Sequence, residues 1–172
     1  RITIPGLVVG TNKIYRARVR HLDNTGRWSR WSAPAEFSVA PVDLVSELRQ
    51  NLRFTEIMYN PPDLAPYVSD DLEFLEMQNI GATNLSIGGL TFTAGITFTF
   101  TNGTTLAPGH RFVLGRNAAA LQVKYPGLVV NGIYTGKLDN GGETIRLSTP
   151  TGATVLEVTY KDSSPWPVTA DG

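Results

Sequence analysis

Short runs in which apolar and polar positions alternate dominate the chain. Phe92, Phe98 and Phe100 alternate with threonines, which places the rings on one face and hydroxyl-bearing side chains on the other. A period of two is the spacing of a strand with one buried face. Turn sequences such as 139–142 and 149–152 separate further runs of this kind. Several short strands at this spacing predict an all-β sandwich.

Two segments depart from the strand pattern and predict short helices. Asn117 can cap a helix that continues to residue 125 through alanines, Leu121 and Val123, and Pro126 and Gly127 end it. The other segment is 43–49, where Asp43 can cap one or two helical turns. It falls within residues 40–51, which we predict to be a linker.

Charge is balanced over the whole chain but unevenly distributed along it. The 172 residues hold 15 basic and 15 acidic side chains and no cysteine. Residues 1–30 hold seven basic side chains and one acidic one, whereas acidic side chains are in excess in the remainder. This asymmetry predicts two units with different surfaces. The neutral total argues against nucleic acid as a partner, because phosphate contacts require an excess of lysine and arginine.

Arginines and tryptophans are concentrated near the N-terminus. Tyr15 and Ala17 alternate with arginines, which a strand sends to the opposite face. Two tryptophans follow, and guanidinium planes stack favourably on indole faces. We favour a structural ladder over a nucleic-acid or sulfated-glycan patch, because arginines held between indoles are only partly available to a ligand. The candidate ladder comprises Arg16, Arg18, Arg20, Trp28, Arg30 and Trp31.

The segments 15–21, 23–26 and 28–34 resemble the last strands of a fibronectin type III domain. Trp28-Ser-Arg-Trp-Ser matches a Trp-Ser-x-Trp-Ser motif that also occurs in cytokine receptors. The resemblance implies that Tyr15 is a tyrosine corner, whose hydroxyl bonds to the backbone upstream. We therefore assign residues 1–39 to the C-terminal part of such a domain.

Five ordered blocks after the linker resemble a bacterial lamin tail domain; they are 52–62, 73–81, 85–90, 106–114 and 138–147. The resemblance implies an immunoglobulin-like β-sandwich over residues 52–172, with a last strand still to follow. It also implies a module of a large exported protein, such as one with a spore-coat-protein-H-type kinase domain. The nuclear lamins' basic DNA-contacting residues have no matched motif in this sequence.

The sequence contains few candidates for catalytic or metal-binding residues. His21 and His110 fall at a strand end and in a turn, where surface roles are favoured over catalysis. Carboxylates that cluster in and beside the loop 61–69 could hold Ca²⁺ through oxygen ligands, although a solvated acidic loop is the favoured interpretation. The Ca²⁺ candidates are Asp63, Asp70, Asp71 and Glu73. The sequence predicts no catalytic residue and no cofactor.

These observations predict a non-catalytic structural and adhesive module that spaces or presents other domains of an extracellular bacterial protein. Its expected partners are those other domains and a cell-surface protein or glycan, without nucleic acid or membrane insertion. The alternative is a module that binds carbohydrate or another cell-surface polymer, with Ca²⁺ assistance, beside an enzyme domain of the parent protein. The expected location is secreted or on the cell surface.

Overall fold

The computed structural model of the chain describes residues 13–38 and 43–166. Backbone contacts divide the chain into two units, Arg1–Asp43 and Leu44–Gly172. In the first unit, β1 (Ile14–Ala17) pairs antiparallel with β2 (Ala35–Ser38). Tyr15 lies opposite Phe37, and the two rings stack with centroids 5.5 Å apart. None of residues 13–38 is fully buried.

A tight turn lies between β1 and β2 and is organised by Asp23. One Asp23 carboxylate oxygen accepts hydrogen bonds from the backbone N–H groups of Thr25 and Arg27, both at 2.9 Å. The Thr25 hydroxyl donates to the same oxygen at 2.7 Å. Gly26 completes the turn at φ 81°, a left-handed conformation that glycine adopts without steric cost. These hydrogen bonds hold the pKa of Asp23 below its ordinary value.

The second unit begins with the helix α1 (Leu44–Asn51), directly after Asp43. Leu48 is buried in the core, and the Arg49 guanidinium donates to the Thr154 carbonyl from Nε at 2.9 Å and Nη2 at 2.6 Å. Tertiary packing therefore stabilises a helix too short to persist alone. Within the segment 40–51 that we predict to be a linker, residues 44–51 form this packed helix.

Among the described residues, nine strands follow α1 and form two main sheets and a small two-stranded sheet. The first sheet has the order β3 (Leu52–Met58), β4 (Phe74–Asn79), β8 (Arg111–Gly115) and β9 (Gly132–Ile133). The second has the order β11 (Thr154–Thr159), β10 (Thr144–Ser148) and β6 (Thr91–Ala94). The two-stranded sheet pairs β5 (Leu85–Ser86) antiparallel with β7 (Thr105–Leu106). The predicted all-β sandwich is confirmed.

Alternation along the strands places one apolar face of each main sheet in a common core. Leu75 and Met77 of β4 are fully buried there, as are Ile145 and Leu147 of β10. Phe100 joins them, although residues 97 and 99 form only isolated bridges rather than a regular second strand. The period-two pattern thus identified the buried face correctly.

The helix α2 (Ala118–Lys124) covers the opposite face of the first sheet at one end. Asn117 caps it as predicted, because its Oδ1 accepts from the backbone N–H groups of Ala119 and Ala120 at 3.1 and 3.2 Å. Leu121 of this helix packs with Phe74 and Val113 in a second buried cluster. The first sheet is therefore apolar on both faces at this end.

Asn79 is a fully buried polar residue at the end of β4. Its Nδ2 donates to the carbonyls of Thr83 and Leu106, both at 2.8 Å, and its Oδ1 accepts from the Gly81 N–H at 2.9 Å. Both amide donors of Asn79 are thus in use, and its amide oxygen accepts one hydrogen bond. The side chain ties the loop after β4 to β7.

We predict that Asn79→Asp lowers the free energy of unfolding by about 2–4 kcal/mol at neutral pH. The substitution replaces two donors with a carboxylate oxygen that faces two carbonyl oxygens in a buried site. Chemical denaturation measures the change. Gln78→Glu is the matched control, because the Gln78 amide donates to Gly109 O at 3.0 Å at the surface. Equal losses for the two variants would contradict the role assigned to Asn79.

Candidate functional site

Arg20 lies between the two tryptophans of the first unit. Its guanidinium carbon is 4.1 Å from the ring centroid of Trp28 and 4.6 Å from that of Trp31. Both indoles remain 54% exposed. Backbone hydrogen bonds from Ser29 to His21 and from Ser32 to Val19 keep the tryptophan segment beside the arginine strand.

The other three arginines of the predicted ladder differ from Arg20 in their contacts. Arg16 Nε pairs with Glu36 at 2.6 Å. Among residues 13–38, only Arg20 is stacked on a tryptophan ring, and Arg18 and Arg30 are not. Tyr15 stacks on Phe37, and the upstream backbone expected to receive its hydroxyl lies outside the described residues.

The carboxylates of the four Ca²⁺ candidates each contact different protein groups. Asp63 accepts from the Ser69 N–H at 2.6 Å, and Asp70 lies 3.9 Å from the Lys137 ammonium. Asp71 accepts from the Val68 N–H at 3.4 Å and from the Asn117 amide at 3.2 Å. Within residues 13–38 and 43–166, no three His, Cys, Asp or Glu side chains are grouped so that they could hold a metal ion.

Glu73 is fully buried at the start of β4. One carboxylate oxygen, Oε2, accepts from the Tyr134 hydroxyl and from the Leu138 N–H, both at 2.9 Å. The other oxygen, Oε1, is buried and has no hydrogen-bond partner among the described residues. Burial raises the pKa of Glu73, although the two hydrogen bonds oppose this effect. Burial also raises the pKa of Tyr134. Glu73 therefore anchors residues 134–138 to the first sheet.

The outer face of the first sheet carries a smaller polar group. Glu76 pairs with Arg111 Nε at 3.0 Å and accepts from the Thr55 hydroxyl at 2.7 Å. Glu56 lies opposite Glu76 in the β3–β4 pairing. Burial and the neighbouring Glu76 raise the pKa of Glu56, and Arg111 opposes them. The group links three strands through contacts that are partly exposed to solvent.

A groove opens where the two main sheets meet at their edges. β3 is the end strand of the first sheet and β11 is the end strand of the second. The space between them has a volume of about 310 Å³. We call it the edge groove, and its apolar lining comprises Phe54, Ile57, Tyr59, Val158, Tyr160 and Trp166.

Aromatic contacts shape the floor and the rim of the edge groove. The rings of Tyr59 and Tyr160 lie 4.8 Å apart, and both side chains are buried. The Tyr160 hydroxyl donates to the Asp139 carbonyl at 2.8 Å, and burial raises its pKa. Trp166 packs against the core cluster but is only half-buried. The groove is therefore an apolar concavity bordered by two strands, each of which has a single strand partner in the part of the chain that the structure describes.

The order of strands, the two face-packed sheets and the short helices define an immunoglobulin-like β-sandwich. The family model described as Lamin Tail Domain matches residues 46–162, and the chain belongs to this family. Lamin tail domains are non-catalytic, and membership indicates a structural module that interacts with other proteins. No curated protein matches the chain. Among the described residues, no helix is long and apolar enough to cross a membrane.

Two features of the site were missed by sequence reasoning. The edge groove joins side chains of β3 and β11 that are about a hundred positions apart, so no local pattern could indicate it. The burial of Glu73 had a weak signal, because the residue directly precedes an apolar strand. Its partners Tyr134 and Leu138 are 61 and 65 positions away.

We predict that Glu73→Gln removes part of the pH dependence of stability. With a raised pKa, the folded protein holds the Glu73 proton at pH values where the unfolded chain has released it. The free energy of unfolding contributed by Glu73 therefore falls as the pH rises above the ordinary value of 4.5. The glutamine oxygen can still accept from Tyr134 and Leu138, so the variant gains stability relative to the parent chain as the pH rises.

Denaturant unfolding between about pH 4 and pH 8 measures this difference. Glu157→Gln is the control, because Glu157 is exposed and pairs with Arg146 at the surface. A stability difference between Glu73→Gln and the parent chain that stays constant over this range would rule out the proposed titration.

Proposed function

We propose that the chain is a non-catalytic structural and adhesive module, which spaces or presents other domains of an extracellular bacterial protein through protein–protein contacts. Membership of the lamin tail domain family supports the structural role. The observation that supports protein–protein contact most directly is the edge groove, because it combines an apolar lining with two strand edges that have no further strand partner among the described residues.

We also propose that residues 1–39 are the C-terminal part of a fibronectin type III domain. The antiparallel pairing of β1 and β2 and the contact of Arg20 with both tryptophans support this assignment. The half-buried Tyr15, Ala17 and Phe37 share one side of this small sheet. These side chains would complete a core with further strands of such a domain.

The chemistry of the edge groove fits an extended polypeptide segment from the parent protein. An edge strand offers unpaired backbone N–H and C=O groups that a further strand can bond. An apolar concavity beside that edge can take every second side chain of the added strand. At the start of β11, Arg49 already bonds the Thr154 carbonyl, so the accessible part of this edge lies toward Val158.

The position of the polar side chains supports the same interpretation. Thr55 and Glu56 are exposed at the rim of the groove, whereas Ile57 and Val158 are half-buried within it. A polar rim around an apolar centre is the usual anatomy of a protein interface. The occupant we infer is a strand with alternating apolar and polar residues.

Selection of random displayed peptides on the purified full chain tests this function. We expect enrichment of extended peptides with alternating apolar residues, and Ile57→Lys should weaken their binding by about tenfold or more. Val158→Lys, on the opposite wall, should have the same effect. Calorimetry with a synthetic peptide measures the affinities, and thermal melting verifies that each variant remains folded.

Ile133→Lys is the matched control, because Ile133 is 49% exposed on β9, the other edge of the same sheet. This variant should bind the selected peptides as the parent chain does. If the groove variants bind as tightly as the Ile133 variant, or if selection yields no alternating sequences, the proposed protein-binding role of the groove is refuted.

A further inference from the structure

Two shallow clefts flank Arg18 and Trp31 in the first unit. One has a volume of about 430 Å³ and is lined by Arg16, Arg18 and Trp31. The other has a volume of about 400 Å³ and is bordered by Arg18, Arg20, Trp28 and Trp31 together with Val19. Arg18 and Trp31 are common to both clefts. An exposed arginine and an exposed indole therefore border both clefts.

The arginines share the side of the strand that faces away from the Tyr15–Phe37 pair. Alternation sends Arg16 and Arg18 to one face of β1 and its extension, and Tyr15 and Ala17 to the other. Arg16 and Arg18 are exposed, whereas Tyr15 and Ala17 are half-buried. The arginine face is therefore the solvent face of this small sheet.

The arginines of this face differ in whether their positive charge is already paired or stacked. Arg20 is held between the two indoles, and Arg16 is paired with Glu36. Arg18 has no hydrogen bond or ion pair with any residue that the structure describes, and both acidic residues of 13–38 are engaged, Asp23 in its turn and Glu36 with Arg16. Arg18 therefore contributes an uncompensated positive charge beside Trp31.

An indole next to a free guanidinium has a defined ligand chemistry. The indole presents a large apolar surface against which a sugar ring can pack. The guanidinium offers a planar fork of donors that matches a carboxylate or a sulfate. The remaining positive charge of the segment attracts a polyanion over a distance of about 8 Å at physiological salt.

We propose that Arg18 and Trp31 form a binding site for an acidic polysaccharide, with a sugar ring against Trp31 and its carboxylate or sulfate on Arg18. Single-stranded nucleic acid fits less well, because it requires successive free aromatic faces and the facing sides of Trp28 and Trp31 are occupied by Arg20. The site lies within the first unit and does not rest on the protein-binding role of the edge groove.

Surface plasmon resonance on the full chain at about 0.15 M salt tests the proposal. The probes are polygalacturonate oligosaccharides for the carboxylate, heparin oligosaccharides for the sulfate, neutral dextran, and oligo-thymidylate. We expect at least one acidic oligosaccharide to bind, and dextran not to bind. Arg18→Gln should weaken that binding by about tenfold, because it removes a charge-assisted contact.

Trp31→Ala should abolish binding, whereas Trp31→Phe should restore part of it by keeping an aromatic face. Arg27→Gln is the matched control, because it removes the same charge from a residue that lines neither cleft. Arg18→Gln leaves the Arg20 stack intact, and tryptophan fluorescence verifies this.

Three results would overturn the proposal. The first is the absence of binding to both acidic oligosaccharides. The second is an equal loss in Arg27→Gln and Arg18→Gln, which would show attraction to net charge without a defined site. The third is tighter binding of oligo-thymidylate than of either acidic oligosaccharide, which would assign the face to nucleic acid.

Discussion

When two sheets pack face to face, the end strand of each sheet has a row of backbone N–H and C=O groups without a strand partner. The surface that the second unit offers to a partner depends on what bonds these groups. Its core is closed between Leu75 and Met77 on one side and Ile145 and Leu147 on the other. β3 and β11 border an apolar groove, and neither has a second strand partner within residues 13–38 and 43–166. The proposed binding of an extended segment rests on this groove and on the strand edges beside it.

Two buried polar side chains hold loops of the second unit in place through hydrogen bonds. Asn79 joins the loop after β4 to β7, and Glu73 joins the start of β4 to residues 134–138. Each residue is fully buried, so the loops it holds cannot move without exposing or orphaning a polar group. The four carboxylates considered as Ca²⁺ ligands form hydrogen bonds or an ion pair within the second unit. Most of these contacts hold loops in place.

Much of the fold follows from local patterns, and most of the surface chemistry does not. The alternation around Phe92 and the cap at Asn117 predicted a buried face and a helix that the structure contains. The burial of Leu48 within the predicted linker could not be predicted locally, because it depends on distant strands. The motif also could not show which arginine of residues 13–38 stacks on the indoles. Stacking by Arg20 depends on how the arginine strand and the tryptophan segment pack against each other. Contacts between positions far apart in the sequence determine which side chains remain exposed and able to bind a ligand.

Residue-resolved amide hydrogen exchange of the full chain, measured by nuclear magnetic resonance, tests the open edge most directly. An end strand pairs only every second N–H group with its neighbour, so protection should alternate along β3 and β11 and be continuous along β4 and β10. Continuous strong protection along both β3 and β11 would show that their outer edges are already paired, and would contradict the account.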